Sequence, residues 1–340
     1  VIINPNKHLG DLLIGLDVIQ RACDQIVRQG DKVVILLDES YKNLVNGAFE
    51  AGSVFYYPRK ALKAGNPIKR AHRYLKVLKR IRAERADIAL DLVTDSVSSA
   101  LTYLSGARKR IAKAGAVYQK RYDHVVADGL GQHEYHRLRS ALAEVTDLPP
   151  VEPCYGKLEI KKANELVDQL LKEKGLKNHR PIVIHPGATK HYKMWPQEHF
   201  VTLIVLLRNA GYKPLMIGAG ERDRSVNEAI NQKLDEPIPD FCDQMELEQV
   251  AYLFSKALFY IGNDSGPMHL ASACNLPGIA LFGPSEDKIW GPLSSKTLML
   301  RGEQNCEPAC RRGNSCRVNH QCMRSISPLK VFEKVQAYFD

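Results

Sequence analysis

One local pattern recurs along this chain and limits the folds open to it: an unbroken apolar run, a short loop of small or polar residues, then a helical segment. VIINP at the start leads into Asn6–Gly10, after which Leu12, Leu16, Ile19, Cys23 and Ile26 recur at steps of three and four, the spacing of one helical face. KVVILLDE (Lys32–Glu39) and DIALDLV (Asp87–Val93) are also continuously apolar, as strands buried on both faces of a parallel sheet are. Beyond them PIVIHPG (Pro181–Gly187), Lys213–Gly218, Leu258–Gly262 and Gly278–Gly283 alternate with helical stretches at Glu198–Asn209, Asp223–Leu234, Leu247–Ser255 and Pro267–Cys274. Strands alternating with helices predict doubly wound α/β sheets. Between the halves lies LPPVEPCYG (Leu148–Gly156), whose prolines and glycine predict a linker. The expected organisation is two Rossmann-like domains, 1–155 and 156–325, with ligands held at the carboxyl ends of the strands.

No apolar run approaches the roughly 20 residues that span a bilayer. VIINPNKHLG has neither the basic nor the apolar region of a secretory signal, so a cytoplasmic location is expected. The net charge of +10 is unevenly spread: Arg59–Arg85 holds eleven Lys or Arg against the single acid Glu84, and Arg108–Arg121 holds six and none. Such fields attract phosphates. Nucleic acid is not the expected partner, since the basic runs carry little aromatic interleaving beyond Tyr74 and Tyr118 and no nucleic-acid motif. An anionic membrane-borne substrate fits better.

Chemistry concentrates in the loops after strands. In FYIGNDSGPMH (Phe259–His269) an apolar strand ends in small polar residues ahead of a helix that opens with Pro267. Free N–H groups there make a site for a diphosphate, with Asp264, Ser265, Gly266 and His269 around it, although Asp264 or Ser265 serves equally as a helix cap. HPGATKHYKMWP (His185–Pro196) places Thr189, Lys190 and Lys193 beyond another strand, where a lysine can neutralise a leaving diphosphate or simply be solvated. Trp195-Pro196 reads as a packing feature. NPNKHLGD (Asn4–Asp11) lacks the GxGxxG of dinucleotide sites and offers Gly10 and one carboxylate, Asp11; that carboxylate suits a general base and suits a helix cap as well. In GAGERD (Gly218–Asp223), Glu221 or Asp223 can meet a ribose diol or be no more than the charged first turn of a helix.

Together these segments resemble glycosyltransferase family 9, the ADP-heptose:lipopolysaccharide heptosyltransferases. The resemblance extends over nearly the whole chain and rests on Gly10-Asp11, on His185-Pro-Gly-Ala-Thr to Trp195-Pro196, and above all on Asn263-Asp-Ser-Gly-Pro-Met-His269 followed by LFGPSE (Leu281–Glu286). It implies a GT-B fold, in which two Rossmann-like domains face each other across a cleft and a C-terminal helix (326–340) crosses back to the first. It implies inverting transfer of heptose from ADP-heptose to an anionic lipopolysaccharide-precursor acceptor, without a cofactor or catalytic metal, at the inner face of the inner membrane. Asp11 would be the base and Lys193 would stabilise the departing diphosphate. Thr189, Asp264–Gly266 and His269 would surround that diphosphate, and Asp223 would fall near the ribose, where the family more familiarly has a Glu.

Cys306, Cys310, Cys316 and Cys322, with His320 nearby, are spaced too widely for the paired CxxC of common zinc ribbons. A structural metal there stays an open alternative. A same-fold enzyme acting on a protein hydroxyl or an outer-core sugar, a sugar-nucleotide epimerase, and a non-catalytic basic nucleic-acid-binding protein are the rival functions.

Overall fold

The computed structural model describes residues 1–49, 52–127, 133–161, 164–303, 316 and 320–339. The chain folds as two units, Val1–Glu159 and Ile160–Asp340. In the first, six parallel strands lie in the order β3-β2-β1-β4-β5-β6: β1 (Ile2–Asn4), β2 (Val34–Asp38), β3 (Ser53–Tyr57), β4 (Ile88–Asp91), β5 (Lys109–Ala112) and β6 (His124–Val125). Ile3, Leu36 and Tyr57 on this sheet share a core with Val77, Leu78 and Ile81 of helix Pro67–Ala83 and Leu101 of helix Ser96–Tyr103. Helices Leu9–Arg28 and Glu134–Leu142 pack against each other, and Gly15 leaves room there for the side chain of Leu138.

The second unit has five parallel strands in the order β11-β10-β9-β7-β8: β7 (Ile182–His185), β8 (Pro214–Met216), β9 (Phe259–Asn263), β10 (Gly278–Phe282) and β11 (Thr297–Arg301). Every residue of β7, β9 and β10 is buried, as the unbroken apolar runs require. In each sheet the strand order reverses beside the first strand of its unit, at β1/β4 and at β7/β9. Ligands of open α/β sheets bind beyond the carboxyl ends at such a reversal.

Three expectations need amendment. The C-terminal helix Pro328–Phe339, expected to cross back to the first domain, has its apolar stripe in the second unit: Val331 and Val335 are fully buried in that core beside helix Gln197–Asn209, and Phe339 packs against Phe259. The residues that follow the linker expected at Leu148–Gly156 are strapped to the first unit. Gln20 donates to the carbonyl of Lys157 and accepts from its N–H, and Glu159 N–H donates to Leu44. Within the second basic run, Lys113 forms a buried ion pair with Glu134, and Arg110 grips Asp123 at 2.7 Å, so part of that charge is spent inside the fold.

Candidate active site

In the second unit, β7 and β9 lie side by side and deliver His185 and Asn263 at their last positions. Asn263 is fully buried and ties the two following loops together: its amide donates to the carbonyls of Pro186 (2.7 Å) and Gly187 (3.3 Å) and accepts from Trp195 N–H (3.0 Å). Trp195 is itself core, its indole donating to Ile326 O, which bears out the packing role expected of it. So anchored, the loop brings Lys193 Nζ to 2.6 Å from Asp264 Oδ2. Asp264 is buried while Lys193 is half-buried, and the lysine therefore presents part of its charge outward.

Ser265 is extended and precedes helix Gly266–Ala273, and its side chain does not cap that helix. It bonds instead to His185 Nδ1 at 3.2 Å, while His185 Nε2 lies 3.2 Å from Asp223 Oδ2. Burial favours a protonated Asp223, but His185, by hydrogen bond and charge, together with the Ala219 N–H and the nearby Arg222, outweighs it and holds the carboxyl below its ordinary range. An ionised Asp223 only accepts, so Nε2 carries the proton. In the neutral ring Nδ1 is then the acceptor, and Ser265 O–H donates to it. Gly187 and Gly218 make room for Asp223, because a Cβ on either would collide with its side chain.

The expected donor contacts thus divide. Lys193, Asp264, Ser265 and Gly266 come together at the β7/β9 edge, and His269 is buried in the first turn and a half of the helix behind them. Thr189 and Lys190 are exposed on the intervening loop, the Thr189 carbonyl taken by Arg222. Asp223, expected at a ribose, meets His185 Nε2 and the Ala219 N–H through Oδ2. Glu221 is the exposed acid at the same helix start, paired with Arg224 at 2.9 Å. His185 and Asn263 were read from sequence only as members of their motifs, without a role of their own, although a polar residue closing a buried apolar run was their visible signal.

In the first unit, Asp11 is inside helix Leu9–Arg28, with His8 at the N-cap position, so it is not the cap. Gly10 precedes it in the same turn, and an acid there suits the helix dipole. Asn6 Nδ2 donates to Asp11 Oδ2 at 3.2 Å and Asn6 Oδ1 accepts from His8 N–H at 3.0 Å, which orients the carboxylate and leaves Oδ1 without a hydrogen bond among the described residues. Nearby, Arg59 bridges Asp38 and the Pro5 carbonyl. Cys306 and Cys310 lie outside the described residues. Cys316 Sγ accepts from His320 N–H at 3.1 Å and Cys322 is buried in the second core. Among the described residues no group of three or more His, Cys, Asp or Glu is placed to hold a metal.

The model of glycosyltransferase family 9 (heptosyltransferase) matches residues 74–320. The chain belongs to glycosyltransferase family 9. Lipooligosaccharide heptosyltransferase 2 of Haemophilus influenzae is 30% identical over 203 residues, 58% of each chain. Lipopolysaccharide heptosyltransferase 3 of Escherichia coli is 24% identical over 282 residues, 79% of each. The family 9 chain spans about half the length of the first relatives it matches, 58% for the Haemophilus protein and 48% for lipopolysaccharide heptosyltransferase 2 of Salmonella typhimurium. Among solved structures it is similar to E. coli ADP-heptose LPS heptosyltransferase II (TM-score 0.76, 19% identity, 99% of this chain and 97% of that one). It is likewise similar to the family 9 glycosyl transferase of Veillonella parvula (TM-score 0.77, 18% identity, 99% and 96%). With its two Rossmann-like sheets, this family 9 protein has the GT-B fold.

Proposed function

We propose that the protein is an inverting glycosyltransferase that moves a heptose from ADP-heptose to an anionic lipopolysaccharide inner-core acceptor, working at the cytoplasmic face of the inner membrane. The observation that carries this reading is the set of groups at the β7/β9 edge: a partly exposed lysine and the start of a helix, locked to each other through Asn263 and His185. Cations and free N–H groups fixed before the reaction stabilise a diphosphate as its charge develops. An arriving diphosphate takes Lys193 from Asp264, and Ser265 and Gly266 offer the backbone N–H groups. Glu221, exposed at the start of its helix, exchanges Arg224 for the ribose. The names of the relatives, heptosyltransferases of lipopolysaccharide and lipooligosaccharide, support heptose as the group moved.

In the first unit, Asp11 Oδ1 accepts the proton of the acceptor hydroxyl. The hydroxyl oxygen then bonds to the anomeric carbon as the carbon–oxygen bond to ADP breaks on the opposite face, and ADP departs with the electron pair. One base and a set of diphosphate donors suffice for this displacement, with neither cofactor nor metal. The basic surface of this unit suits an acceptor that carries phosphates in a membrane.

Transfer from ADP-heptose to Kdo-lipid A, measured for wild type and Asp11→Ala, tests the reading. Wild type should transfer, and the variant should lose about 10²–10⁴ in kcat while binding ADP normally. ADP binding without transfer to any acceptor of the series would refute the acceptor, and failure to bind ADP would refute the donor.

A further inference from the structure

Helix Pro67–Ala83 turns Val77, Leu78 and Ile81 into the first core. Its opposite side is unusual. Ile68, His72, Leu75 and Lys79 follow one another at steps of four, three and four and so form one line along the helix. Ile68 is 80% exposed and Leu75 62%. A single exposed leucine is ordinary, but these two stand among Lys69, Arg70, Arg73, Lys76, Lys79, Arg80 and Arg82 on a helix without one acid. Some of the cations are used internally: Arg73 donates to the carbonyls of Ala61 and Ala64, Arg82 to that of Leu104, and Arg80 lies over the Phe55 ring at 4.2 Å. Lys69, Arg70, Lys76 and Lys79 have no ion-pair partner among the described residues.

The charge is also placed against the helix's own field. Lys69 and Arg70 sit in the first turn, where the dipole favours anions and no acid is present. An anionic surface laid on this side would relieve the repulsion and cover the two apolar side chains together. The loop before β6 exposes 79% of Val117 next to Tyr118 and Arg121, whose guanidinium lies over the Tyr118 ring. The first turns of the same helix wall a cavity of about 560 Å³ that Tyr57, Arg59, Lys63, Arg70 and Tyr74 also line.

We propose that this outward side of helix Pro67–Ala83 is a membrane-docking surface, with Lys69, Lys76 and Lys79 on anionic headgroups and Ile68 and Leu75 in the acyl boundary. The proposal deepens the acceptor reading above and rests on it for the kind of membrane met. Interfacial helices bind through this combination of apolar insertion and charge attraction. Each cation near an anionic leaflet contributes about a fivefold gain in binding.

Sedimentation of the full chain with vesicles of phosphatidylcholine containing 30% phosphatidylglycerol (a chosen condition, about one anionic lipid in three) tests it, pure phosphatidylcholine being the control. Wild type should bind the anionic vesicles and release them in high salt. Lys76→Glu with Lys79→Glu should lose at least about 25-fold in affinity. Ile68→Ser with Leu75→Ser should lose at least about tenfold while keeping the wild-type salt slope, a result that charge attraction alone does not produce. Both double variants should unfold at wild-type temperatures. If the Ile68/Leu75 variant binds vesicles like wild type, or if the wild type prefers RNA and ignores the vesicles, the proposal is overturned. Heptose transfer to a deacylated, water-soluble acceptor separates the two readings. Transfer that is equal in wild type and the Ile68/Leu75 variant leaves the function standing whichever way the vesicles decide. If wild type transfers to nothing yet binds the vesicles, and only the Ile68/Leu75 variant loses that binding, docking stands and the function falls.

Discussion

Lys193 and Asp264 are each other's partner at the β7/β9 edge, 71 residues apart in sequence, and this pairing sets what their substitutions should do. Lys193→Ala should lower kcat by about 10²–10³, the usual effect of deleting one preorganised group at a developing charge. It should also destabilise the fold by about 1–3 kcal/mol, because Asp264 is left buried without its cation; steady-state kinetics and urea unfolding would read the two effects separately. Asp223 gives a pH signature. Its folded carboxyl titrates below the usual value, so its contribution is complete above the unfolded pKa of about 3.9 and is lost as the pH falls through the folded one. Urea midpoints should therefore drop as the pH is taken below about 4, and Asp223→Asn should flatten that limb by lowering the midpoint at pH 7, where the carboxylate's contribution is complete. Sequence disclosed the chemical types here, a lysine and an acid in loops after strands, but not their partners. Asp223 read as a ribose contact because the histidine that claims it lies 38 residues away, on a strand whose neighbour only the folded sheet defines.

At the level of elements, the two loops of the candidate site depend on one side chain. Asn263→Leu would leave Trp195 N–H and the carbonyl of Pro186 unpaired in a dry interior, at a cost of about 2–4 kcal/mol. The thermal midpoint should fall by several degrees, with kcat reduced as Lys193 loses its placement. A wild-type melting curve for this variant would sink the assignment. Strands that are apolar throughout, such as β7, β9 and β10, were legible because burial on both faces leaves only that composition. β3 and β11 were not, since they are edge strands with exposed or half-exposed residues. β5 was read as part of a basic run, because Lys109 is exposed and Arg110 half-buried on Asp123, while only Ile111 and Ala112 are buried.

Across the whole molecule, both sheets and their helices were legible from the alternation of apolar runs with helical spacing, and the division between them falls four residues past the boundary expected at 155. Prolines mark where a chain turns, not which side of the turn owns it. Residues past the prolines return to the first unit, and Gly156 runs so close to helix Leu9–Arg28 that a Cβ would stand 2.6 Å from Asp17 N and 2.8 Å from the Leu16 carbonyl carbon. Backbone atoms cannot step aside as side chains do, so Gly156→Ala should cost about 1–3 kcal/mol, measured as a shift of the urea midpoint with the spectrum of the native state retained. The strap also bears on synthesis and on engineering. A nascent chain halted after the prolines would hold a first sheet whose last tether is still inside the ribosome. A gene divided at that same point would yield a front half lacking the six residues Cys154–Glu159 that close it, whereas a division just after Glu159 would hand each half the pieces its own sheet binds.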